Sequence, residues 1–130
     1  MRNIYFWAAL VWTTTILVCC LISMRNFDAV PLAGDYTDKY VHFSFYFGFT
    51  LLWYFACSLK YAGRNLKLRL QIFLAAVVLG IIIEICQEFF TKDRSADITD
   101  VMANTSGSAV AVLILWIAGS IKKKQTLNPE

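Results

Sequence analysis

Residues 70–90 have the sequence LQIFLAAVVLGIIIEICQEFF, a long apolar run whose two acidic residues, Glu84 and Glu88, lie near one end. A bilayer core about 30 Å thick requires about 20 residues of helix at 1.5 Å per residue. Three other runs of about that length, at residues 4–22, 40–59 and 101–121, carry no acidic or basic side chain apart from a histidine in the second. The sequence therefore predicts an all-α, polytopic membrane protein with a four-transmembrane-helix bundle.

The composition is that of a membrane protein. Of the 130 residues, 58% are hydrophobic and 16% are charged, whereas charged residues make up about a quarter of a soluble domain. We predict one domain at residues 1–124, followed by a short tail at 125–130. The net charge of +3 lies mainly between the apolar runs, so no nucleic-acid partner is expected. The four cysteines form no Cys-x-x-Cys pair, which disfavours a zinc site or a disulfide framework.

Basic residues predict how the helices are oriented, because Lys and Arg accumulate on the cytoplasmic side of a membrane. One at Arg2, four in residues 60–69 and three in residues 122–124 make eight of the twelve, and the first and third loops carry the other four. Both termini are therefore predicted to be cytoplasmic. Of the nine acidic residues, all but Glu130 fall on or near the outer side, which is where we expect the chemistry.

Polar side chains recur on one face of three of the four helices, near the same end. Residues three, four or seven positions apart share a helical face. Those spacings relate Glu84, Gln87 and Glu88 in the third helix, Asp97, Asp100 and Asn104 in the fourth, and Asp38, His42 and Tyr46 in the second, where Lys39 is adjacent. We expect them to meet at one level of the membrane, with Tyr46 itself facing lipid or the interface, as tyrosine often does.

Small residues continue two of these faces toward the middle of the membrane. Gly80 lies one turn inward from Glu84, and Gly107 lies inward from Asn104. Small residues let transmembrane helices approach closely. We therefore predict that the third and fourth helices pack through these faces and bring Glu84 opposite Asn104 and Asp100. The sequence leaves open whether such faces join helices of one chain or of two, so a homo-oligomer is a possible assembly.

Each polar residue also has a structural explanation. Asp97 can cap the fourth helix, His42 can be a hydrated histidine near the interface, and Glu84 can link to Arg94 or Asn104. Glu84 is the hardest to explain in this way, because it lies about 9 Å along the helix from the end of its run. A carboxylate at that depth is costly unless it is paired or faces a polar cavity. We interpret it as a functional residue.

These positions resemble a known family. The motifs are Asp38-Lys39-x-x-His42, Glu84-x-x-Gln87 and Arg94-x-x-Asp97-x-x-Asp100-x-x-x-Asn104-x-x-Gly107. They are similar to the pattern of the VanZ-like family of small bacterial membrane proteins, whose namesake confers low-level resistance to the glycopeptide teicoplanin. The resemblance covers nearly the whole chain. It implies a cell-envelope protein in the bacterial cytoplasmic (inner) membrane, but it implies no particular reaction.

Two functions fit these residues. In the first, a polar outer-leaflet pocket binds or remodels a lipid headgroup, a lipid-linked envelope precursor or an amphipathic antibiotic. In the second, the protein is an intramembrane hydrolase or transferase for a lipid-linked substrate, with Glu84 or His42 as acid–base, Asp100 as a further catalytic candidate and Arg94 as anion stabiliser. The candidate ligand-binding residues are Asp38, Lys39, His42, Glu84, Gln87, Arg94, Asp97, Asp100 and Asn104.

No cofactor is expected from the sequence. A divalent cation held by some of Glu84, Glu88, Asp97, Asp100 and His42 is the less favoured alternative, and carboxylates of this kind suit Mg²⁺ or Ca²⁺. A transporter or channel is also less favoured, because the inner halves of the helices carry no charge and offer no polar path across the membrane.

Overall fold

The protein, in a computed structural model that describes residues 2–21, 37–58, 65–90 and 96–127, consists of four helices. These are α1 (Arg2–Leu21), α2 (Thr37–Ser58), α3 (Asn65–Phe90) and α4 (Ile98–Leu127). The described residues contain no β-strand. The prediction of an all-α bundle of the membrane type is confirmed.

All four helices begin before their apolar runs, and α4 also ends beyond its run. The helix bounds were predicted from hydrophobicity alone. Polar residues such as Thr37 and Asn65 also adopt helical geometry at a helix start. Helix α4 continues through residues 125–127, which were expected to form a tail.

Three helices have spans long and apolar enough to cross a membrane: Ile4–Leu21, Leu66–Phe90 and Ile98–Ile121. Helix α2 has 22 residues, which is about 33 Å of helix and long enough for a bilayer core, but it is more polar. Its position explains this difference. It packs against each of the other three helices, whereas α1 and α4 do not pack against each other in the described segments.

The helices alternate in direction along the chain. The ends of α1 and α3 meet at Cys20 and Gln87, and the beginnings of α2 and α4 meet at Lys39 and Asp97. We call this end of the bundle the cluster end. Large apolar side chains are exposed on the outward faces, as expected for contact with lipid; they include Ile4, Trp7, Leu70, Leu74, Val78 and Ile114.

The core is built around α2. Tyr46 is fully buried and packs with Ile16, Cys20, Phe49, Ala76 and Ile83. The expectation that Tyr46 faces lipid or the interface was wrong, because the face of α2 that carries it lies against the other helices. Tyr40, six residues earlier, is 72% exposed.

The close contacts at the two glycines differ from the prediction. Gly80 of α3 does face α4, where an added Cβ would lie 3.1 Å from Asn104 Nδ2. Gly107 of α4 faces α2 instead, and an added Cβ would overlap the carbonyl group of Phe43. The prediction that Gly107 packs against α3 was therefore wrong. Both glycines serve contacts between helices of one chain, and Gly107 sets the close approach of α2 and α4.

Candidate functional site

The close approach of α2 and α4 brings their polar faces together at the cluster end. We use the name polar cluster for five of these side chains, Asp38, Lys39 and His42 of α2 with Asp100 and Asn104 of α4. Residues four apart on a helix point to the same side. His42 therefore lies one turn along α2 from Asp38, and Asn104 lies one turn along α4 from Asp100. His42, Asp100 and Asn104 are buried, whereas the side chains of Asp38 and Lys39 are 39% and 34% exposed.

His42 lies at the centre of the cluster and is 1% exposed. Its Nδ1 lies 3.1 Å from Asn104 Oδ1. The Asn104 amide is placed with its oxygen toward the ring, and an amide oxygen only accepts hydrogen bonds, so in this arrangement Nδ1 is the donor. The other ring nitrogen, Nε2, lies 3.8 Å from Asp38 Oδ1 and 3.7 Å from Asp100 Oδ2. Asn104 therefore fixes both the orientation of the ring and its tautomer, with Nε2 directed at two carboxylates.

Lys39 lies at the opening of the cluster. Its Nζ is 3.5 Å from Asp97 Oδ2 and 3.7 Å from Asp100 Oδ1. The two oxygens of Asp100 thus face different groups, one the lysine ammonium and the other the histidine ring. This ion-pair network connects the exposed start of α4 to the buried imidazole.

Asp97 caps α4. Its Oδ1 accepts a hydrogen bond from the Thr99 N–H at 2.8 Å, and its Oδ2 accepts one from the Thr99 hydroxyl at 2.7 Å. These hydrogen bonds, with a smaller contribution from Lys39, hold the pKa of Asp97 below its usual value of 3.8. The capping role considered for Asp97 is therefore present in the structure. Thr99 was missed by the sequence reasoning, although the Asp-x-Thr pattern at a helix start is a signal for it.

Substitution of Asp97 separates its capping role from its charge. We expect Asp97→Ala to lower the free energy of unfolding by about 1 kcal/mol, because the Thr99 N–H loses its acceptor. Asp97→Asn retains a capping oxygen and should remain within a few tenths of a kcal/mol of the original protein. Unfolding in detergent micelles titrated with SDS measures both. Equal stability of the two variants would contradict the capping role.

The acidic residues of α3 bind the backbone just before α4. Glu84 Oε2 accepts a hydrogen bond from the Asp97 N–H at 3.1 Å, and Glu88 Oε2 accepts one from the Ala96 N–H at 2.8 Å. Carboxylates at this position also interact favourably with the positive end of the helix dipole. One oxygen of the buried Glu84 thus has a structural task, which is to attach α3 to the start of α4.

Gln87 connects two other helices. Its Nε2 donates a hydrogen bond to the carbonyl oxygen of Cys20 at 2.8 Å. The last carbonyl groups of a helix lack partners within it, so the buried Gln87 side chain satisfies one of them at the end of α1. The structure therefore joins this residue to α1. Arg94, predicted to bind a ligand and to stabilise anionic charge, lies outside the described residues.

A model of a known protein family matches residues 5–119 under the description VanZ/LLP1. The chain belongs to the VanZ/LLP1 family. The match includes all the residues of the polar cluster and confirms the resemblance found in the motifs. Comparison with curated proteins and with solved structures found no match. With three apolar helices long enough to span a bilayer, the chain is a VanZ-type membrane protein.

The geometry of this VanZ/LLP1 cluster permits three kinds of chemistry. The Nε2 atom of His42 can accept or donate a proton, because its tautomer is fixed from the other side of the ring. The carboxylates of Asp38 and Asp100 can bind a cation or an amine. The ammonium of Lys39, which is partly exposed, can bind an anionic group that approaches from the end of the bundle.

Proposed function

We propose that this VanZ/LLP1 protein binds the headgroup of a membrane lipid or a lipid-linked envelope precursor at the polar cluster. The observation that carries the proposal is the position of Lys39. Its side chain is 34% exposed, and it lies between Asp97 and Asp100 at the entrance to a buried histidine. A ligand that enters from the membrane surface therefore meets a cation with carboxylates beside it.

The charges favour a headgroup that contains both a phosphate and hydrogen-bond donors. The phosphate would pair with Lys39, and ammonium or hydroxyl groups would donate to Asp38 and Asp97, whose side chains are also partly exposed. Charge-assisted hydrogen bonds of both kinds are stronger than neutral ones. A purely anionic headgroup would instead be repelled by the carboxylates.

A groove on the outward face of α4, at the level of the cluster along the helix, is suited to an apolar chain. It has a volume of about 300 Å³ and is lined by Val101, Met102, Thr105, Ser106 and Ala109. It starts next to Asp100 and runs for about two turns along α4. An acyl or polyprenyl chain in this groove would place its headgroup at the level of Lys39.

The distribution of basic residues favours one orientation in the membrane. The excess of Lys and Arg near the other end of the bundle supports an arrangement in which the polar cluster faces the outer side of the bacterial cytoplasmic membrane. A protein that holds or remodels an envelope lipid there is suited to a role in resistance to glycopeptides, the property of the family's namesake.

Binding of phosphatidylethanolamine tests the proposal, because that lipid carries one phosphate and one ammonium group. In native mass spectrometry from nanodiscs, we expect Lys39→Met to weaken its retention by about 10-fold to 100-fold, the equivalent of one hydrogen bond to a charged group. Lys67→Met, at an exposed position near the start of α3, is the matched control and should bind as the original protein does. Equal binding by Lys39→Met, or no binding by the original protein, would remove the proposal.

A second candidate function is supported by the orientation of His42. A general base requires a partner that fixes its tautomer, and the hydrogen bond from Nδ1 to Asn104 does this. The candidate is an intramembrane hydrolase or transferase that acts on a lipid-linked substrate, with His42 Nε2 transferring the proton. It differs from the first function in requiring turnover of the headgroup.

A further inference from the structure

Three possible ligand atoms converge within the polar cluster. His42 Nε2 lies 3.8 Å from Asp38 Oδ1 and 3.7 Å from Asp100 Oδ2, and all three atoms lie within 4.8 Å of one another. Ligand atoms that share one ion with bonds of about 2.1 Å are about 3.0–3.4 Å apart in octahedral or tetrahedral geometry. To reach that spacing, the two carboxylate oxygens would have to move about 0.3–0.8 Å closer to Nε2 and also approach each other, which rotation of the two side chains permits.

The hydrogen bond between His42 and Asn104 is an independent indication of a cation. Histidines that bind metals almost always donate their other ring N–H to an oxygen, which directs the remaining lone pair at the ion. Here Nδ1 donates to Asn104 Oδ1 at 3.1 Å. With this tautomer the lone pair of Nε2 is directed toward two negatively charged oxygens, an arrangement that a bound cation stabilises.

Asp100 is a buried carboxyl group whose hydrogen bonding is incomplete, which is costly unless a positive charge lies nearby. It is 6% exposed, and its Oδ1 is buried and accepts no hydrogen bond from any described residue. Lys39 approaches this oxygen only to 3.7 Å, which is longer than a hydrogen bond. The lysine thus lies on the Oδ1 side and leaves Oδ2 directed at His42.

We propose that Asp38, His42 and Asp100 bind one divalent cation. One imidazole and two carboxylates form a mixed nitrogen and oxygen ligand set, which suits Mn²⁺ or Zn²⁺ better than Mg²⁺ or Ca²⁺. This set differs from the one considered from the sequence, because Glu84 and Glu88 bind backbone N–H groups before α4 and do not contribute.

The cation changes what the site can bind. Two carboxylates and a neutral imidazole are balanced by a divalent ion, so a phosphate oxygen could complete its coordination from the side of Lys39. The inference does not rest on lipid binding, because the affinity for metal can be measured in detergent without added lipid.

Titration of the purified full-length protein with Mn²⁺, after removal of metal with a chelator, tests the site. Electron paramagnetic resonance is expected to show one bound Mn²⁺ per chain and a coupling to one ¹⁴N nucleus. His42→Gln should remove the nitrogen coupling, and Asp100→Asn should weaken binding by at least 10-fold. Asn104→Leu retains all three ligands but should weaken binding by about 10-fold to 100-fold, because the ring loses its orientation.

Glu88→Gln is the matched control, since it removes a carboxylate at the same end of the bundle but outside the proposed ligand set, and its affinity for Mn²⁺ should equal that of the original protein. Circular dichroism checks that each variant is folded. Failure of the folded original protein to bind either Mn²⁺ or Zn²⁺ at 1:1 stoichiometry would overturn the inference. So would a nitrogen coupling that persists in His42→Gln, or loss of binding in Glu88→Gln. Retention of phosphatidylethanolamine in the presence of a chelator would separate the two proposals, because lipid binding would then stand without the metal.

Discussion

Gly107→Ala is expected to destabilise the bundle more than the alanine substitution of any other glycine in the described helices. A Cβ at this position would overlap the carbonyl group of Phe43, and backbone atoms of a helix cannot move aside as a flexible side chain can. The two helices must therefore separate, which loosens the packing around Ser108 and Tyr46. We expect a loss of about 3 kcal/mol in the free energy of unfolding, at the upper end of the range for overpacked cores.

Gly119→Ala is the control for this substitution. It lies on the same helix, and its added Cβ would lie 3.4 Å from Arg69 Nη2, at the end of a long side chain. Alanine is also favoured over glycine within a helix by about 1 kcal/mol. This variant should be as stable as the original protein or slightly more stable in an SDS titration. If the two alanine variants unfold at the same SDS fraction, the inference that α2 and α4 approach closely at Gly107 is wrong.

For the catalytic candidate, His42→Gln is expected to reduce release or exchange of a lipid headgroup by 10²-fold to 10⁴-fold, the usual contribution of a general acid–base. Glutamine is similar in length to histidine and polar, but it does not transfer a proton at neutral pH. The rate of headgroup release in nanodiscs of phosphatidylethanolamine and phosphatidylglycerol, followed by mass spectrometry, measures the change. The loss should appear in kcat with KM nearly unchanged.

Tyr40→Phe serves as the control because its ring is exposed and lies outside the polar cluster. Its turnover should equal that of the original protein. Absence of turnover in the original protein would exclude the enzymatic function for these lipids and leave the binding function. Turnover that survives His42→Gln, Glu84→Gln and Asp100→Asn would show that these residues do not carry the reaction.

The number and type of the helices could be predicted from the sequence because four apolar runs match the thickness of a bilayer. Their ends could not, since hydrophobicity does not mark where a helix starts in polar sequence. Helix α2 begins at Thr37 and α3 at Asn65, before the apolar residues that revealed them. The continuation of α4 to Leu127 has the same cause.

Which residues share a face could also be predicted, but which faces meet could not. Helical spacing placed His42 above Asp38, and Asn104 above Asp100, yet periodicity within one helix carries no information about its neighbour. Gly107 was consequently assigned to the wrong partner helix. The hydrogen bond of Gln87 to Cys20 was not foreseen either, because an amide on one helix gives no indication of which carbonyl group on another it will reach.

The central position of α2 has a consequence for how the protein enters the membrane during synthesis. Its polar face would be exposed to lipid if α2 left the translocon alone, and charged or polar groups in hydrocarbon are costly. Partners of Lys39 and His42 lie on α4, which is synthesised after α2 and α3. The second helix must therefore be retained beside the translocon, or sheltered by α1, until α4 has been translated, so that the polar cluster assembles only then.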